Sequence, residues 1–248
     1  MSAIYILWLR QLKRYFRSRA RMIGSLGQPI LFLVALGFGF GPIYEKAGGG
    51  NYIDFLAPGI VAMGILFTAI FTGIELIWDR QFGFLKETLV APVYRFQIMA
   101  GRTLGGATVA TLQGVIILIL ATLVGFRPEN LLMLPVTLFF MFLIALLFTA
   151  LGTAIASMLE DMQGFQLIIN FLVMPIFFLS GALFPLQGLP NVIMDIARID
   201  PLTYGVDGLR ATLIGGAHFG VGLDLFLLII MTFFLVFLGS WLFSKVEV

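Results

Sequence analysis

The chain has 248 residues, of which 60% are hydrophobic and only 11% are charged. An average soluble domain carries about 25% charged residues, so this composition excludes an ordinary soluble enzyme and predicts a protein that is solvated by lipid. The net charge of +2 is too small to indicate a nucleic-acid partner. The chain contains no cysteine, which excludes disulfides, thiolate metal sites and a cysteine nucleophile.

The first 21 residues have an amphipathic pattern. On a helical projection an aromatic and aliphatic arc lies opposite a basic arc, and Ile6, Leu7 and Arg19 fall outside both. The pattern predicts a helix at the membrane interface, with cations at anionic headgroups. Two interpretations stay open, an anchor for topology alone or a dock for a soluble partner. The candidate residues are Trp8, Arg10, Lys13, Arg14 and Arg17.

Six charge-free intervals of at least 20 residues follow this segment. A helix rises about 1.5 Å per residue, so roughly 20 apolar residues cross the hydrocarbon core. The intervals lack the alternation of a transmembrane barrel. We therefore predict an all-α integral membrane protein with one transmembrane domain, 1–248. The predicted spans are 22–44, 55–77, 103–125, 131–157, 165–184 and 223–244.

Basic residues are distributed unevenly between the two sides of these spans. Eleven of the 15 lie in the N-terminal segment, in the loop between spans two and three, or at the C-terminus. Because cytoplasmic loops carry an excess of Lys and Arg, we expect both termini to be cytoplasmic.

The loop between spans two and three contains a second amphipathic segment, 79–92. Phe82, Leu85 and Leu89 fall on one helical face, and Pro92 disfavours helix beyond it. The opposite face carries Asp79, Arg80, Lys86 and Glu87. Spacing alone favours an ordinary connecting loop, and the alternative is a helix that transmits force to or from a soluble partner.

Prolines interrupt the chain after the fifth span, and apolar residues at helical spacing continue over 185–216. Asp200-Pro201 predicts a helix start and Gly215-Gly216 a helix stop. Asp207 and Arg210 are three residues apart and could pair. The segment predicts outer re-entrant or interfacial helices, with a surface loop as the alternative.

Several site types have no support in the sequence. No charge lies near the middle of a predicted span, which argues against an ion-driven carrier. The lone His218 is expected to be solvated, and no phosphate-binding loop GxxxxGK[ST] is present. We therefore expect no metal, cofactor or catalytic residue in this chain. Gly101 and Gly105 form a weak GxxxG signal for close helix packing.

Two long motifs resemble a known family. The first reads DRQFGFLKETLVAPVYR over 79–95 and continues into GRTLGGAT at 101–108. The second reads FFLSGALFPLQGLP over 177–190, followed by DPLTYGVDGLR at 200–210. Both are similar to the permease subunits of ABC type-2 exporters, particularly the daunorubicin-resistance-like multidrug group. The resemblance covers nearly the whole chain.

The resemblance implies partners and site residues. A separate ABC ATPase subunit would bind ATP-Mg, and a second permease chain would complete a homodimer in the cell membrane. The N-terminal helix would connect to the ATPase, and 79–92 would be a coupling helix that contacts it. The implied coupling residues are Phe82, Gly83, Leu85, Lys86 and Glu87. The implied outer gate comprises Phe184, Pro185, Pro190, Asp207 and Arg210.

The expected function is export of an amphipathic or lipophilic substrate, such as a drug, a lipid or a lipid-linked glycan. The chain itself would not be an enzyme, and its remaining partner would be membrane lipid. Two alternatives from other classes remain at this point. One is a membrane scaffold that regulates a partner without transport, and the other is an ion-coupled secondary carrier.

Overall fold

Helices make up 82% of a computed structural model that describes residues 2–246, and no strand occurs in that range. Met1, Glu247 and Val248, which the predicted domain includes, lie outside the described residues. A one-turn 3-10 helix, Leu131–Met133, precedes the seventh α-helix. The α-helices are α1 (Ala3–Arg17), α2 (Arg19–Lys46), α3 (Tyr52–Phe71), α4 (Ile74–Gln81), α5 (Phe84–Val90), α6 (Arg95–Val124), α7 (Leu134–Met158), α8 (Met162–Leu179), α9 (Asn191–Ile199), α10 (Pro201–Ile214) and α11 (Val221–Ser244).

Six helical segments in this range are long and apolar enough to cross a membrane, which confirms the predicted all-α, six-span fold. They are Arg19–Lys46, Tyr52–Gln81, Arg95–Val124, Leu131–Met158, Met162–Leu179 and Val221–Ser244. The third begins eight residues before the apolar run predicted to start at 103. Its 30 residues extend about 45 Å, so its charged end reaches beyond a hydrocarbon core of about 30 Å.

The segment Tyr52–Gln81 forms the centre of the bundle. Most of it is buried, and α2, α6, α7 and α10 pack around it. Glycine allows α3 and α7 to cross closely, because a Cβ on Gly152 would lie only 2.5 Å from the carbonyl oxygen of Ile70. In contrast, α2, α8 and α11 keep large apolar side chains exposed along their outer faces.

The two ends of the bundle are distinct. At one end Arg95 donates from Nη1 to the carbonyl oxygens of Ser244 and Val246, both at 2.7 Å. This end also holds the first turns of α1, where Ile4 packs against Gly101, and we call it the terminal face. At the other end the Tyr52 hydroxyl donates to the carbonyl oxygen of Leu183 at 2.8 Å, and we call it the distal face.

Helix α1 packs along the first half of α6, and the Gly101–Gly105 pair provides the space. A Cβ on Gly101 would lie 2.9 Å from the Leu7 Cβ, and one on Gly105 would lie 2.7 Å from the Gln11 Cβ. Leu7, which fell outside both predicted arcs, is therefore central to the packing face and is buried with Gln11 and Tyr15. The membrane-interface position of α1 stays a prediction.

At the distal face, local signals predict the bounds of α10 correctly. Asp200 accepts a hydrogen bond from the Leu202 N–H at 2.8 Å, and Gly215 ends the helix with φ +70°. The helix packs against α3, α7 and α11. The fifth span ends at Leu179 instead of 184, because Ser180 caps it and Gly181 turns the chain with φ +76°.

Gly105→Leu should detach α1 from α6, because its side chain would overlap Gln11. Overpacking costs about 1–3 kcal/mol, so we expect trypsin to cleave after Lys13 and Arg17 roughly tenfold faster in the purified protein. Gly39→Leu is the control, since a Cβ at Gly39 meets nothing within 4 Å. Equal cleavage rates in the two variants would contradict the docking of α1.

Candidate functional site

Two buried carboxylates lie on successive turns of α4 near the terminal face. Glu75 is 4% exposed and Asp79 is 5% exposed, and residues four apart share one helix face. Charged side chains are almost never buried without partners. Four arginines supply them, and we call the six residues the arginine–carboxylate cluster: Arg10, Arg14, Arg21, Glu75, Asp79 and Arg102.

Asp79 joins three helices. Arg10 of α1 donates to both of its oxygens, with Nη2–Oδ1 at 2.8 Å and Nη1–Oδ2 at 3.1 Å. Arg102 of α6, whose side chain is 5% exposed, donates to Oδ2 as well. Such two-point, charge-assisted bonds are among the stronger polar contacts in proteins. The carboxylate therefore holds α1 and α6 against α4.

Glu75 extends the cluster to α2. Arg21 donates to its Oε1, and Arg14 Nη1 lies 3.6 Å from its Oε2 and 3.7 Å from Asp79 Oδ1. Four guanidinium groups against two carboxylates leave the cluster with a net charge of +2. This excess positive charge lies where α1, α2, α4 and α6 meet.

The five candidate residues of α1 divide between two environments. Arg10 and Arg14 belong to the cluster, and the Trp8 indole donates to the Thr108 hydroxyl at 3.0 Å. Lys13 and Arg17 are exposed. One side of α1 therefore packs against the bundle, and the other side carries cations that face outward.

The predicted coupling segment 79–92 consists of two helices and a turn. Asp79 belongs to α4, and Phe82 and Gly83 form the turn before α5. Gly83 has φ +79°, a conformation that favours glycine, so a single helix cannot continue through it. Leu85 anchors α5 in the core, and the Arg10 guanidinium lies 3.7 Å from the centre of the Phe84 ring. Helix α5 therefore contacts the cluster directly.

Outward-facing residues surround α5. Phe82 is 82% exposed, and Lys86 and Glu87 are exposed as well. Further exposed apolar side chains at this end of the bundle are Val90, Tyr94 and Phe96. Exposed apolar side chains next to charges are typical of surfaces that bind another protein or the membrane.

At the distal face Asp207 and Arg210 bind backbone groups instead of each other. Asp207 accepts from the N–H of His218 at 2.8 and 2.9 Å and from the N–H of Phe219 at 2.7 Å. Arg210 Nη2 donates to the carbonyl oxygens of Phe55 at 3.3 Å and Gly181 at 3.1 Å. The expected Asp207–Arg210 pair does not form, because Asp207 binds the loop at 218–219 whereas Arg210 binds the first turn of α3 and the turn at Gly181.

Arg210 also stacks on Phe55, with its guanidinium carbon 3.9 Å from the ring centre. Burial lowers the pKa of Arg210 to about 10, so the side chain stays charged near neutral pH. Together these contacts tie α10 to α3 and to the turn after α8.

The predicted outer-gate residues are only partly brought together. Pro185, Asp207 and Arg210 line one cavity of about 280 Å³. Phe184 lies in a separate apolar groove beside α2, which Pro185 also lines. Pro190 precedes α9 at its N-cap position. His218 is exposed as expected, although its backbone N–H binds Asp207.

Sequence reasoning missed the roles of Arg21, Glu75 and Arg102 and placed Asp79 only on the charged face of segment 79–92. A signal for the cluster was nevertheless present. Arg10 and Arg14 are four residues apart, as are Glu75 and Asp79, so two helices with these spacings can align their charges turn by turn.

Comparison with known proteins gives consistent matches. A family model described as ABC-2 type transporter matches residues 2–214. Nodulation protein J of Rhizobium leguminosarum bv. trifolii is 31% identical over 217 residues, which cover 85% of this chain and 78% of the relative. The putative transport permease ycf38 of Cyanophora paradoxa is 28% identical over 264 residues, covering 99% of this chain and 89% of the relative.

Asp79→Asn should destabilise the bundle strongly, because Arg102 would remain buried without a counter-charge. Breaking a buried pair in this way costs about 3–5 kcal/mol. Asp195→Asn is the matched control, because its pair with Arg198 is 69% exposed on the aspartate side and should contribute less than about 1 kcal/mol. Thermal unfolding in detergent measures both variants, and equal unfolding temperatures would contradict the role of the cluster.

Proposed function

Because this chain belongs to the ABC-2 type transporter family, we propose that this multi-pass membrane protein is the permease subunit of an ATP-powered exporter in the cell membrane. The observation that carries the proposal is helix α5. Phe82, Lys86 and Glu87 are available around it for a soluble partner, and Phe84 contacts the arginine–carboxylate cluster through Arg10. A force applied at α5 would thus reach helices that enter the membrane.

We propose that the terminal face lies on the cytoplasmic side. Arg95 lies at this end, Lys86 lies in α5 shortly before it in the chain, and the cluster lies close by at Arg102. The excess of Lys and Arg there supports this orientation through the positive-inside rule. In this orientation α5 would lie where a cytoplasmic ATPase can reach it.

The partner at α5 is a separate ABC ATPase subunit, which would hold ATP-Mg. Displacement of α5 would move Arg10, and Asp79 would carry the movement to Arg102 in α6. Arg14 and Glu75 extend the same connection to Arg21 in α2. Buried ion pairs resist separation, since each charge left alone loses solvation without compensation. The connected helices would therefore move together between two arrangements whose populations the ATPase shifts.

A second copy of this chain would complete the pathway. The outer faces of α2 and α8 expose Phe38, Phe40, Phe171 and Phe178, and an apolar groove lies between these helices at the distal face. A symmetric pair of chains would enclose a pathway with apolar walls. Such walls suit an amphipathic or lipophilic cargo, for example a drug, a lipid or a lipid-linked glycan.

The first test is affinity purification of the tagged chain from native membranes in mild detergent, followed by mass spectrometry. A stoichiometric ABC ATPase in the eluate is the expected result. Recovery of the intact chain without any ATPase would overturn the exporter and favour a scaffold or an ion-coupled carrier. Substrate-stimulated ATP hydrolysis by the reconstituted complex separates an exporter from a scaffold that merely binds an ATPase.

Phe82→Ala should weaken ATPase binding about tenfold, since truncation of an exposed anchor residue at an interface typically costs more than 1 kcal/mol. Glu87→Gln should reduce transport per ATP hydrolysed without changing the fold. Leu132→Ala is the control, because Leu132 is 89% exposed but lies at the distal face. Normal ATPase binding and transport by both α5 variants would exclude α5 as the coupling helix.

A further inference from the structure

A cavity of about 370 Å³ opens beside the arginine–carboxylate cluster, and we call it the inner cavity. Its walls come from the end of α1, the first part of α2, the second half of α3 and α4. The volume is at the lower end of the range for small-molecule sites. The cavity can therefore hold one compact molecule or a single alkyl chain.

Most of the inner wall is apolar. Met63, Phe67 and Phe71 of α3 and Trp78 of α4 line it. These side chains belong to the half of the bundle nearer the terminal face, where α3 continues into α4. An alkyl or aromatic body there would bury apolar surface that water would otherwise contact, which favours binding.

One end of the inner cavity is cationic. Arg21 lines it, and its side chain is one-third exposed. Among the described residues, Arg21 donates a hydrogen bond only through Nη1, to Glu75, and its Nε and Nη2 have no partner. The cluster already carries a net charge of +2 with both of its carboxylates engaged. An anionic group at Arg21 would reduce this surplus, whereas a cation would increase it.

The cavity is accessible from the side of α2. Gly24 and Gln28 line it and are both exposed. A Cβ built on Gly24 meets nothing within 4 Å. A molecule in the adjoining leaflet therefore meets an opening next to Arg21, with an apolar interior beyond it.

From this geometry we propose that the inner cavity binds a single-chain amphiphile with an anionic headgroup, a sulfate, phosphate or carboxylate. The headgroup pairs with Arg21, and the chain lies against Phe67, Phe71 and Trp78. The role of this molecule as cargo rests on the proposed function, but its binding does not. The ligand class would narrow the drug, lipid and glycan alternatives to anionic amphiphiles.

Trp78 lines the cavity and therefore provides a direct readout. The chain has three tryptophans, so Trp8→Phe and Trp241→Phe together leave Trp78 as the only emitter. The protein is placed in zwitterionic phosphatidylcholine nanodiscs without an ATPase. It is titrated with terminally brominated alkyl sulfate or with the alkyl trimethylammonium of equal chain length. These probes keep their charge at every working pH, and bromine quenches tryptophan on contact.

The expected result is saturable quenching by the sulfate at concentrations at least tenfold below those needed for the cation. Arg21→Gln should weaken sulfate binding by about tenfold or more, since a hydrogen bond to a charged group is lost. Arg21→Lys keeps the positive charge and should restore part of the affinity for the sulfate. It also controls for the loss of the Arg21–Glu75 pair. Equal quenching by the two probes, or an unchanged Arg21→Gln titration, would overturn the proposal.

A second variant tests where the ligand binds without changing any charge. Gly24→Phe should fill the opening and abolish saturable quenching, and Gly39→Phe is its control on the same helix, also with open space at the Cβ. Saturable quenching that survives in Gly24→Phe would place the ligand elsewhere and reject the site.

A third titration distinguishes a free single-chain amphiphile from a phospholipid of the bilayer as the bound ligand. Nanodiscs containing brominated phosphatidylglycerol are titrated with unbrominated alkyl sulfate. Displacement of the quenching lipid, or no quenching before addition, supports a single-chain ligand. Quenching that the sulfate cannot displace would assign the site to a bilayer phospholipid and overturn the single-chain assignment. Because no ATPase is present, failure of the exporter proposal would leave all these results unaffected.

Discussion

The buried carboxylate of Asp79 is the constraint on which the terminal half of the molecule depends. Removing a carboxylate and a guanidinium from water costs several kcal/mol for each ion, which only close pairing and further hydrogen bonds can offset. Asp79 meets this demand with Arg102 in α6 and Arg10 in α1. If either helix moved away alone, the buried Asp79 carboxylate would lose one of its two hydrogen-bonded arginines. Helices α1, α4 and α6 are thereby restricted to a narrow range of relative positions.

Close packing makes this pairing possible. Gly101 and Gly105 let the backbone of α1 approach α6 until Gln11 and Leu7 touch it. A larger residue at either glycine would push α1 outward and lengthen the Arg10–Asp79 contact. The ion pairing therefore depends on the packing, because the contact between α1 and α6 sets the distance between the paired charges. Helix α1 carries several cations, and it can pack on the membrane-spanning α6 because Glu75 and Asp79 of α4 lie next to it.

The sequence predicts features that local chemistry determines. The six spans follow from apolar length, because lipid leaves no other partner for backbone groups. The Asp200 cap and the Gly215 stop are equally local, and both are confirmed. The arginine–carboxylate cluster is different, since Arg10 and Asp79 are 69 residues apart. The periodicity of Phe82, Leu85 and Leu89 predicts one helix, although the chain turns at Gly83 and leaves Phe82 outside it. Asp207 and Arg210 find backbone partners outside α10, in the 218–219 loop, in α3 and at Gly181, which spacing along one helix cannot reveal.

Arg21 connects the electrostatics of the cluster with the proposed ligand site. Its guanidinium binds Glu75 and also lines the inner cavity. An anion in the cavity and the carboxylate of Glu75 would therefore share one cation. Any displacement of α4 that changes the Arg21–Glu75 distance would change the affinity for the anion. By thermodynamic linkage, binding of the anion would then bias the position of α4, and with it α5, by the same free energy. A ligand inside the membrane and a partner at α5 could thus influence each other without direct contact.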